Sequence, residues 1–375
     1  MIVWAQLNES GPGILFSSLS RILSDCGLKT VAITHGSGSA LDNEDFARFQ
    51  VVSVHNVLDY LRVCSALSKA RRTVLIYQLT LYPPPFALPL RLLGRLPMVP
   101  VIIGSNWFDS VRLRLISGTA LDRLKAHCYD NLYRLLMSGP SITASTKDVV
   151  TRLNRIYRVG LNHLAVIDAA AVGPSLFMSS PSHNTSADHP KGNTILFVGR
   201  LSEEKGVEIL VKSMKRVAES VPETKLVIVG GGPLRAQLQT LVDTQGIGRH
   251  VQIVGPVPNR DVPNYMRAAT VGVFPYIWGA GAGNAVFEAM SSGLPVIVSE
   301  INDTIVELSR KKCVLGVPPK DDIALAHAIL ILLSDMHLRK SYALNGRTFV
   351  EESLSPGVVA ATWNTVIRRA RERAR

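Results

Sequence analysis

The sequence predicts an α/β protein made of two open parallel sheets, and three observations support that class. Apolar runs of strand length alternate with amphipathic segments of helix length along the chain, the pattern of parallel strands covered on both faces. The chain has 375 residues, about twice a common domain, so two domains of roughly 150 to 200 residues are the natural division. Between Ser179 and Asn193 no apolar residue is larger than alanine, so this stretch cannot pack and reads as a linker.

The expected organisation is therefore a first domain over 1–178, a linker over 179–193 and a second domain over 194–356. A last helix, about 357–375, is placed to pack back on the first domain. In the first domain, strands are expected at Ile2–Leu7, Thr30–Thr34, Val74–Tyr77, Val99–Ile103, Ser141–Ala144 and His163–Ile167. The helix from Ile14 to Cys26 stops at Gly27, a residue suited to a helix C-terminus. The second domain opens with strand Thr194–Val198, a helix from Val207 to Ser220, strand Lys225–Val229, a helix from Leu234 to Thr244 and strand Val251–Val254. It continues with a helix from Asp261 to Ala268, strand Val271–Phe274, a helix from Asn284 to Ser292 and strand Pro295–Val298. Two such sheets imply a cleft between them, with ligands held at the C-terminal ends of the strands.

Composition narrows the function. With 47% hydrophobic and 19% charged residues the chain belongs with folded globular proteins, not disordered ones. A net charge of +12 attracts anionic partners such as nucleotides, phospholipids or nucleic acid. Nucleic acid is not expected, because no recognition motif or aromatic-interleaved basic stripe is present. Cys26, Cys64, Cys128 and Cys313 form no CxxC pair and read as small buried residues of a reducing compartment. No histidine pair has metal-ligand spacing, so no metal is expected. The N-terminus has no basic leader before a long apolar run, which points to the cytoplasm. The longest uncharged run, Thr73 to Leu90, is interrupted by Pro83-Pro84-Pro85, so no membrane-spanning helix is expected.

The chemistry is concentrated in the second half. Strand Thr194–Val198 leads into Gly199-Arg200-Leu201-Ser202-Glu203-Glu204-Lys205-Gly206, which delivers two cations to the edge where a diphosphate would be clamped. Arginine offers a planar fork to phosphate oxygens and lysine a mobile point charge. Downstream, a glycine-rich loop containing Ala280, Gly281, Ala282 and Gly283 opens onto the helix that begins at Asn284. Loop amides and the helix N-terminus together stabilise phosphate without side chains. Glu288 follows about a turn into that helix, where a carboxylate can accept hydrogen bonds from ribose hydroxyls. Gly230-Gly231-Gly232 do not complete a GxGxxG dinucleotide fingerprint, since Arg235 stands at the third glycine, and a dehydrogenase is disfavoured. In the first half, Gly11-Pro12-Gly13 after strand one would let backbone approach a ligand closely, or would be an ordinary strand-to-helix turn.

Taken jointly, Gly199-Arg200, Lys205-Gly206, Val229-Gly230-Gly231-Gly232-Pro233, Gly255-Pro256-Val257, Tyr265 to Ala269 and the stretch from Phe274 through Glu288 to Ile297 resemble the family 4 retaining glycosyltransferases, the glycosyl transferases group 1. That resemblance implies a GT-B architecture, two Rossmann-like domains facing a cleft, with the donor held mostly by the second. It implies that Arg200 and Lys205 hold the diphosphate, that Glu288 holds the ribose and that Gly255 to Val257 form the loop beside the base, with Gly11, Gly13, Gly199, Gly230, Gly231 and residues 280–284 lining the donor site. The implied reaction is retaining transfer of a hexose-type sugar from a nucleoside diphosphate sugar to a hydroxyl acceptor, with no metal or cofactor.

The chain departs from the family pattern at three places. Ala280 stands where a second glutamate is usual, Gly104-Ser105-Asn106-Trp107 lacks the usual histidine, and Ala170-Ala171-Val172-Gly173 replaces an Asn-Gly-Val-Asp segment. A catalytically degenerate nucleotide-sugar binder or partner subunit is therefore the alternative, and a sugar-nucleotide epimerase the third reading. The mixed apolar and cationic run Phe86 to Leu96 and the arginines from Arg368 to Arg375 suit a lipid-linked or membrane-proximal acceptor on an anionic surface, or else are solvated helix faces.

Overall fold

The structure, a computed structural model, describes residues 2–4, 31–35, 50–54, 59, 62, 75–78, 98–102, 116–137, 142–144, 147–157, 164–166, 193–279 and 282–372. By its contacts the chain divides into two units. One comprises Met1–Gly173 with Pro356–Arg375, and the other Pro174–Ser355. The division falls a few residues before the polar stretch at 179–193, which goes with the second unit.

The first unit is built on seven parallel strands: β1 (Ile2–Trp4), β2 (Val31–His35), β3 (Gln50–Val54), β4 (Leu75–Gln78), β5 (Met98–Ile102), β6 (Ile142–Ala144) and β7 (Leu164–Val166). Their order, β3-β2-β1-β4-β5-β6-β7, places the first strand centrally and builds outward on both sides, as in a doubly wound sheet. Two helices are described beside it, α1 (Ala120–Met137) and α2 (Lys147–Tyr157). They bury Ala126, Tyr133, Val149, Val150 and Leu153. Cys128 on α1 is exposed, contrary to the buried thiol expected from sequence, because it lies on the solvent side of that helix. The expected helix over Ile14 to Cys26, Gly11, Gly13, the segment at 104–107 and most of the run from Thr73 to Leu90 lie outside the described residues.

The second unit carries β8 (Thr194–Val198), β9 (Lys225–Val229), β10 (Val251–Gly255), β11 (Val271–Phe274), β12 (Val296–Ser299) and β13 (Leu315–Val317). They form one parallel sheet in the order β10-β9-β8-β11-β12-β13. All four residues of β11 are buried, as are all four of β12, which is why these strands read as continuous apolar runs. Helix α3 (Val207–Ser220) buries Val207, Leu210, Val211, Met214, Val217 and Ala218, a stripe at three- and four-residue spacing. Between the strands run α4 (Arg235–Thr244), α5 (Val262–Ala268), α6 (Asn284–Ser291) and α7 (Asp303–Arg310). Helix α8 (Asp322–Ser334) packs on α3, and α9 (Met336–Ser353) packs on α6. Asn302, Asp321 and Asp335 cap α7, α8 and α9, each side chain accepting from a main-chain amide of the first turn.

The last helix, α10 (Pro356–Glu372), belongs to the first unit and contacts β5. It buries Val359, Ala360, Trp363, Val366, Ile367 and Ala370, while Arg368 and Arg369 face outward. Among the described residues no helix is long and apolar enough to cross a membrane.

Candidate active site

Because the second sheet is parallel, the loops that follow β10, β9, β8 and β11 emerge side by side along one edge. Main-chain hydrogen bonds join the first three. Gly199 N donates to Val229 O at 3.0 Å, Gly230 N to Gly255 O at 2.8 Å, Leu201 N to Gly231 O at 2.9 Å and Leu234 N to Leu201 O at 3.1 Å. Gly230 has a φ of 141°, and a Cβ there would lie 1.8 Å from Gly199 O. Only a residue without a side chain lets these two loops meet. The amides of Gly199 and Gly230 are thus engaged with neighbouring carbonyls, and these glycines shape the edge through close backbone packing. Gly231 lies against the Pro256 ring, and Val257 is half-buried beside it.

Arg200 is exposed on the central loop of this edge. Next along the chain, Glu203–Lys205 forms a single 3₁₀ turn, and Gly206, with a φ of 64°, joins it to α3. A Cβ at Gly206 would sit 1.9 Å from Pro275 O, so the turn is seated directly on the loop after β11. Ile277 N donates to Glu204 O at 2.9 Å and ties the same two loops again. The result places Lys205 Nζ 4.4 Å from the centroid of the Tyr276 ring, a cation held over an aromatic face. Burial holds the Lys205 ammonium below the ordinary lysine range, with Glu204 acting in the opposite direction.

Beyond Tyr276 the loop reaches α6. Gly283 caps that helix with a φ of 78°, and no side chain caps it. The first-turn amides of α6 are therefore not satisfied by a capping side chain, the arrangement that suits an anion. Ala282 is buried, Asn284 is half-buried, and Ala280 and Gly281 lie outside the described residues. One turn on, Glu288 is buried, and burial raises its carboxyl to about 7. Among the described residues no donor is hydrogen-bonded to that carboxyl; the hydroxyls of Ser291 and Ser292 donate instead to the main-chain Glu288 O, both at 2.9 Å. The Tyr276 phenol is pushed well above its ordinary range, by burial first and by the Glu288 charge second.

The structure therefore brings Lys205 and Gly283 together on Tyr276, with Glu288 one turn further along α6 and Arg200 on the adjoining loop. Tyr276 is one residue whose part is not marked by the local sequence; its burial at the end of a strand is visible only once β8 and β11 pair. Arg235 is another. As the first residue of α4 it is a cation where the helix dipole disfavours one. Its guanidinium lies over Gly255, where a Cβ would meet Nη1 at 2.9 Å, and Nη2 donates to Ile253 O at 3.3 Å.

Two Rossmann-like units with this edge define a protein of the GT-B fold class. Solved structures agree: the chain superposes on Anabaena HepE in complex with UDP with a TM-score of 0.75, at 15% identity, covering 98% of this chain and 99% of that one. Residues 181–349 match the family of glycosyl transferases group 1. An uncharacterized glycosyltransferase of Methanocaldococcus jannaschii is 31% identical over 178 residues, 48% of this chain and 45% of that one. A phosphatidyl-myo-inositol mannosyltransferase of Mycobacterium leprae is 34% identical over 165 residues, 43% of this chain and 42% of that one. The aligned segments thus span less than half the length of these relatives.

Proposed function

We propose that this chain is a glycosyltransferase that binds a nucleoside diphosphate sugar at the C-terminal edge of its second sheet and passes the sugar to a hydroxyl acceptor. The observation that carries it is the packing of Lys205 and the uncapped α6 N-terminus on the same buried tyrosine, one turn from a buried carboxyl group that lacks a hydrogen-bond donor. A diphosphate has the charge to satisfy the first two, and a ribose has the hydroxyls to satisfy the third. Similar proteins support a nucleotide sugar as donor, since Anabaena HepE is solved with UDP and with UDP-glucose. The match of residues 181–349 to glycosyl transferases group 1 supports a hexose-type sugar and retention at the anomeric carbon. In that mechanism Arg200 and Lys205 neutralise the departing diphosphate, and positioning together with electrostatics supplies most of the rate without a metal ion. The remaining donor-site assignments, Gly11, Gly13, Gly199, Gly230, Gly231, Gly255, Val257, Ala280, Gly281, Ala282 and Asn284, belong to the same proposal.

A thermal-shift panel of nucleotide sugars tests it, because a ligand that binds only the folded protein raises its melting temperature. At least one nucleoside diphosphate sugar is expected to raise the transition, and the same compound is expected to release free nucleotide slowly without acceptor. Binding without any turnover would leave a nucleotide-sugar binder, interconversion of sugar nucleotides without acceptor would mark an epimerase, and no shift with any donor would reject the site.

We further propose that the acceptor is lipid-linked or membrane-proximal and that the enzyme works in the cytoplasm, peripheral to an anionic surface. The outward arginines of α10 and the net charge of +12 support this, as does the M. leprae relative, whose name specifies a phosphatidylinositol acceptor. Sedimentation with anionic vesicles is expected at low salt and is expected to fall at high salt as screening shortens the reach of the charge. Failure to sediment at low salt would remove the membrane from the proposal.

A further inference from the structure

The turn that carries Lys205 and the loop that follows β11 meet residue by residue. Ile277 N donates to Glu204 O at 2.9 Å, the Lys205 ammonium lies 4.4 Å from the centroid of the Tyr276 ring, and a Cβ at Gly206 would fall 1.9 Å from Pro275 O. Tyr276 therefore sits under the lysine, between two points at which the backbones are locked together. The tyrosine is itself buried, its amide donates to Phe274 O at 2.9 Å, and its ring centroid lies 6.1 Å from that of Phe274. The far end of the same ring meets the start of α6. A Cβ at Gly283 would come within 3.2 Å of Tyr276 Oη and 3.5 Å of Cε2, and the backbone there has a φ of 78°. One rigid side chain thus adjoins both elements able to bind a diphosphate, the lysine by its face and the helix N-terminus by its hydroxyl end.

A lysine side chain is long and loses much rotamer freedom when it is made to point one way, so what aims it matters. Among the described residues Lys205 is in no ion pair. Glu204 adds a charge close by, but its carboxylate accepts from the Ser202 hydroxyl. The ring face is what the ammonium rests on, and it is a weaker partner than phosphate, so an arriving phosphate displaces it. We propose that Tyr276 is a positioning residue for the diphosphate: it fixes the Lys205 ammonium and the N-terminus of α6 at one spacing, so that both meet the same anion without rearranging. The gain is preorganisation, since the ordering cost is met in folding and not in binding. This assignment rests on the donor site proposed above.

The test reads the Kd for UDP, GDP and ADP by calorimetry in wild type, Y276L, Y276F, K205A and the K205A/Y276L double variant, with melting temperatures alongside. Y276L fills much of the volume without a ring. The nucleotide that binds wild type most tightly is expected to bind Y276L about tenfold more weakly, and Y276F, which restores the ring, is expected to recover affinity to within about threefold of wild type. Because the tyrosine acts partly through the lysine, Y276L is expected to cost only about threefold or less once Lys205 is alanine. A purely structural role would cost the same factor in both backgrounds. NMR of lysine-labelled wild type reads the contact directly: the Lys205 ε-methylene protons, assigned by their loss in K205A, are expected upfield of the exposed lysines, shielded by the ring beneath them, and are expected to lose that shielding in Y276L. Should Y276L fail to fold, Y276M, unbranched and without a ring, replaces it. An unshielded Lys205 in wild type overturns the ring as its holder whatever the variants do. Equal factors in both backgrounds, wild-type affinity in Y276L, or a Y276F as weak as Y276L overturns the positioning role, while nucleotide binding by wild type keeps the donor site. A wild type with a shielded Lys205 that binds none of the three nucleotides overturns the donor site, and this role with it.

Discussion

Alanine at Lys205 is expected to lower turnover of the preferred nucleoside diphosphate sugar by about two to three orders of magnitude, and alanine at Arg200 by a comparable factor. The two cations act on charge that grows only as the glycosidic bond breaks and the diphosphate leaves. Their loss should therefore fall more on kcat than on KM. Lys205 is the more instructive of the two, because its surroundings withhold solvent. An ammonium held half-buried over Tyr276 has few waters to compensate for it when a phosphate arrives, so its interaction with that phosphate is correspondingly strong. Arg200 is exposed, and part of its contribution is screened. Steady-state kinetics of both variants, with melting temperatures confirming the fold, check the expectation. Wild-type turnover in either variant would refute the role given to that residue.

The second large effect concerns Glu288 and has a definite sign with pH. Its carboxyl titrates near 7 in the folded chain against 4.5 when unfolded. The native state therefore holds its proton more tightly than the unfolded state does. Stability from this group is fully present below the unfolded value and is lost as pH rises through the folded one. The shift from 4.5 to about 7 corresponds to about 3 kcal/mol, lost between pH 4.5 and 7. E288Q cannot ionise, so its denaturation midpoint should be nearly flat over that window while the wild type declines. The same substitution should weaken donor binding about 10- to 100-fold, since hydrogen bonds to a charged acceptor are worth about 1.5–3 kcal/mol each. Ribose hydroxyls favour the ionised acid, so wild-type binding should strengthen as pH rises through 7 and release protons. A wild-type stability profile as flat as that of E288Q would show that this carboxyl is solvated after all.

A buried acid without a hydrogen-bond donor, an uncapped helix start and a desolvated lysine each cost stability in the absence of ligand. What marks this region is that an acid, a lysine and an uncapped helix start gather at one edge of one sheet. Elsewhere in the second unit some buried polar groups are satisfied, Ser213 Oγ donating to Leu210 O at 2.7 Å and His250 lying between Thr224 O and Arg249, while Thr224 Oγ1, Gln245 Oε1 and Arg339 Nε have no hydrogen-bond partner among the described residues.

How much was legible in the chain depended on position in the sheet. β8, β9 and β11 run over the residues that the apolar pattern marks, because central parallel strands are buried on both faces and must be apolar throughout. β3 and β13 escape the pattern. Both are edge strands, one of five residues with glutamine and serine and one of three residues, and an edge asks less of its side chains. Helices α7, α8 and α9 are likewise absent from the sequence expectation. For α8 the reason is clear: it is apolar on nearly every side, which blurs the helical stripe.

The sequence by itself determined the α/β class and the order of motifs in the second half, and it supplied the candidate residues for a diphosphate and a ribose. These are local properties: strand periodicity, glycine spacing, and charges at predicted strand ends. Only the tertiary structure decided that β8 and β11, more than seventy residues apart, lie side by side, and so that Lys205 rests on Tyr276 and Gly206 on Pro275. It alone showed that Gly230 serves backbone packing against Gly199 and that Glu288 is buried without a donor. The physical reason is that burial, desolvation and cation–π contact depend on what the other strands bring alongside, and no window of neighbouring residues contains that information.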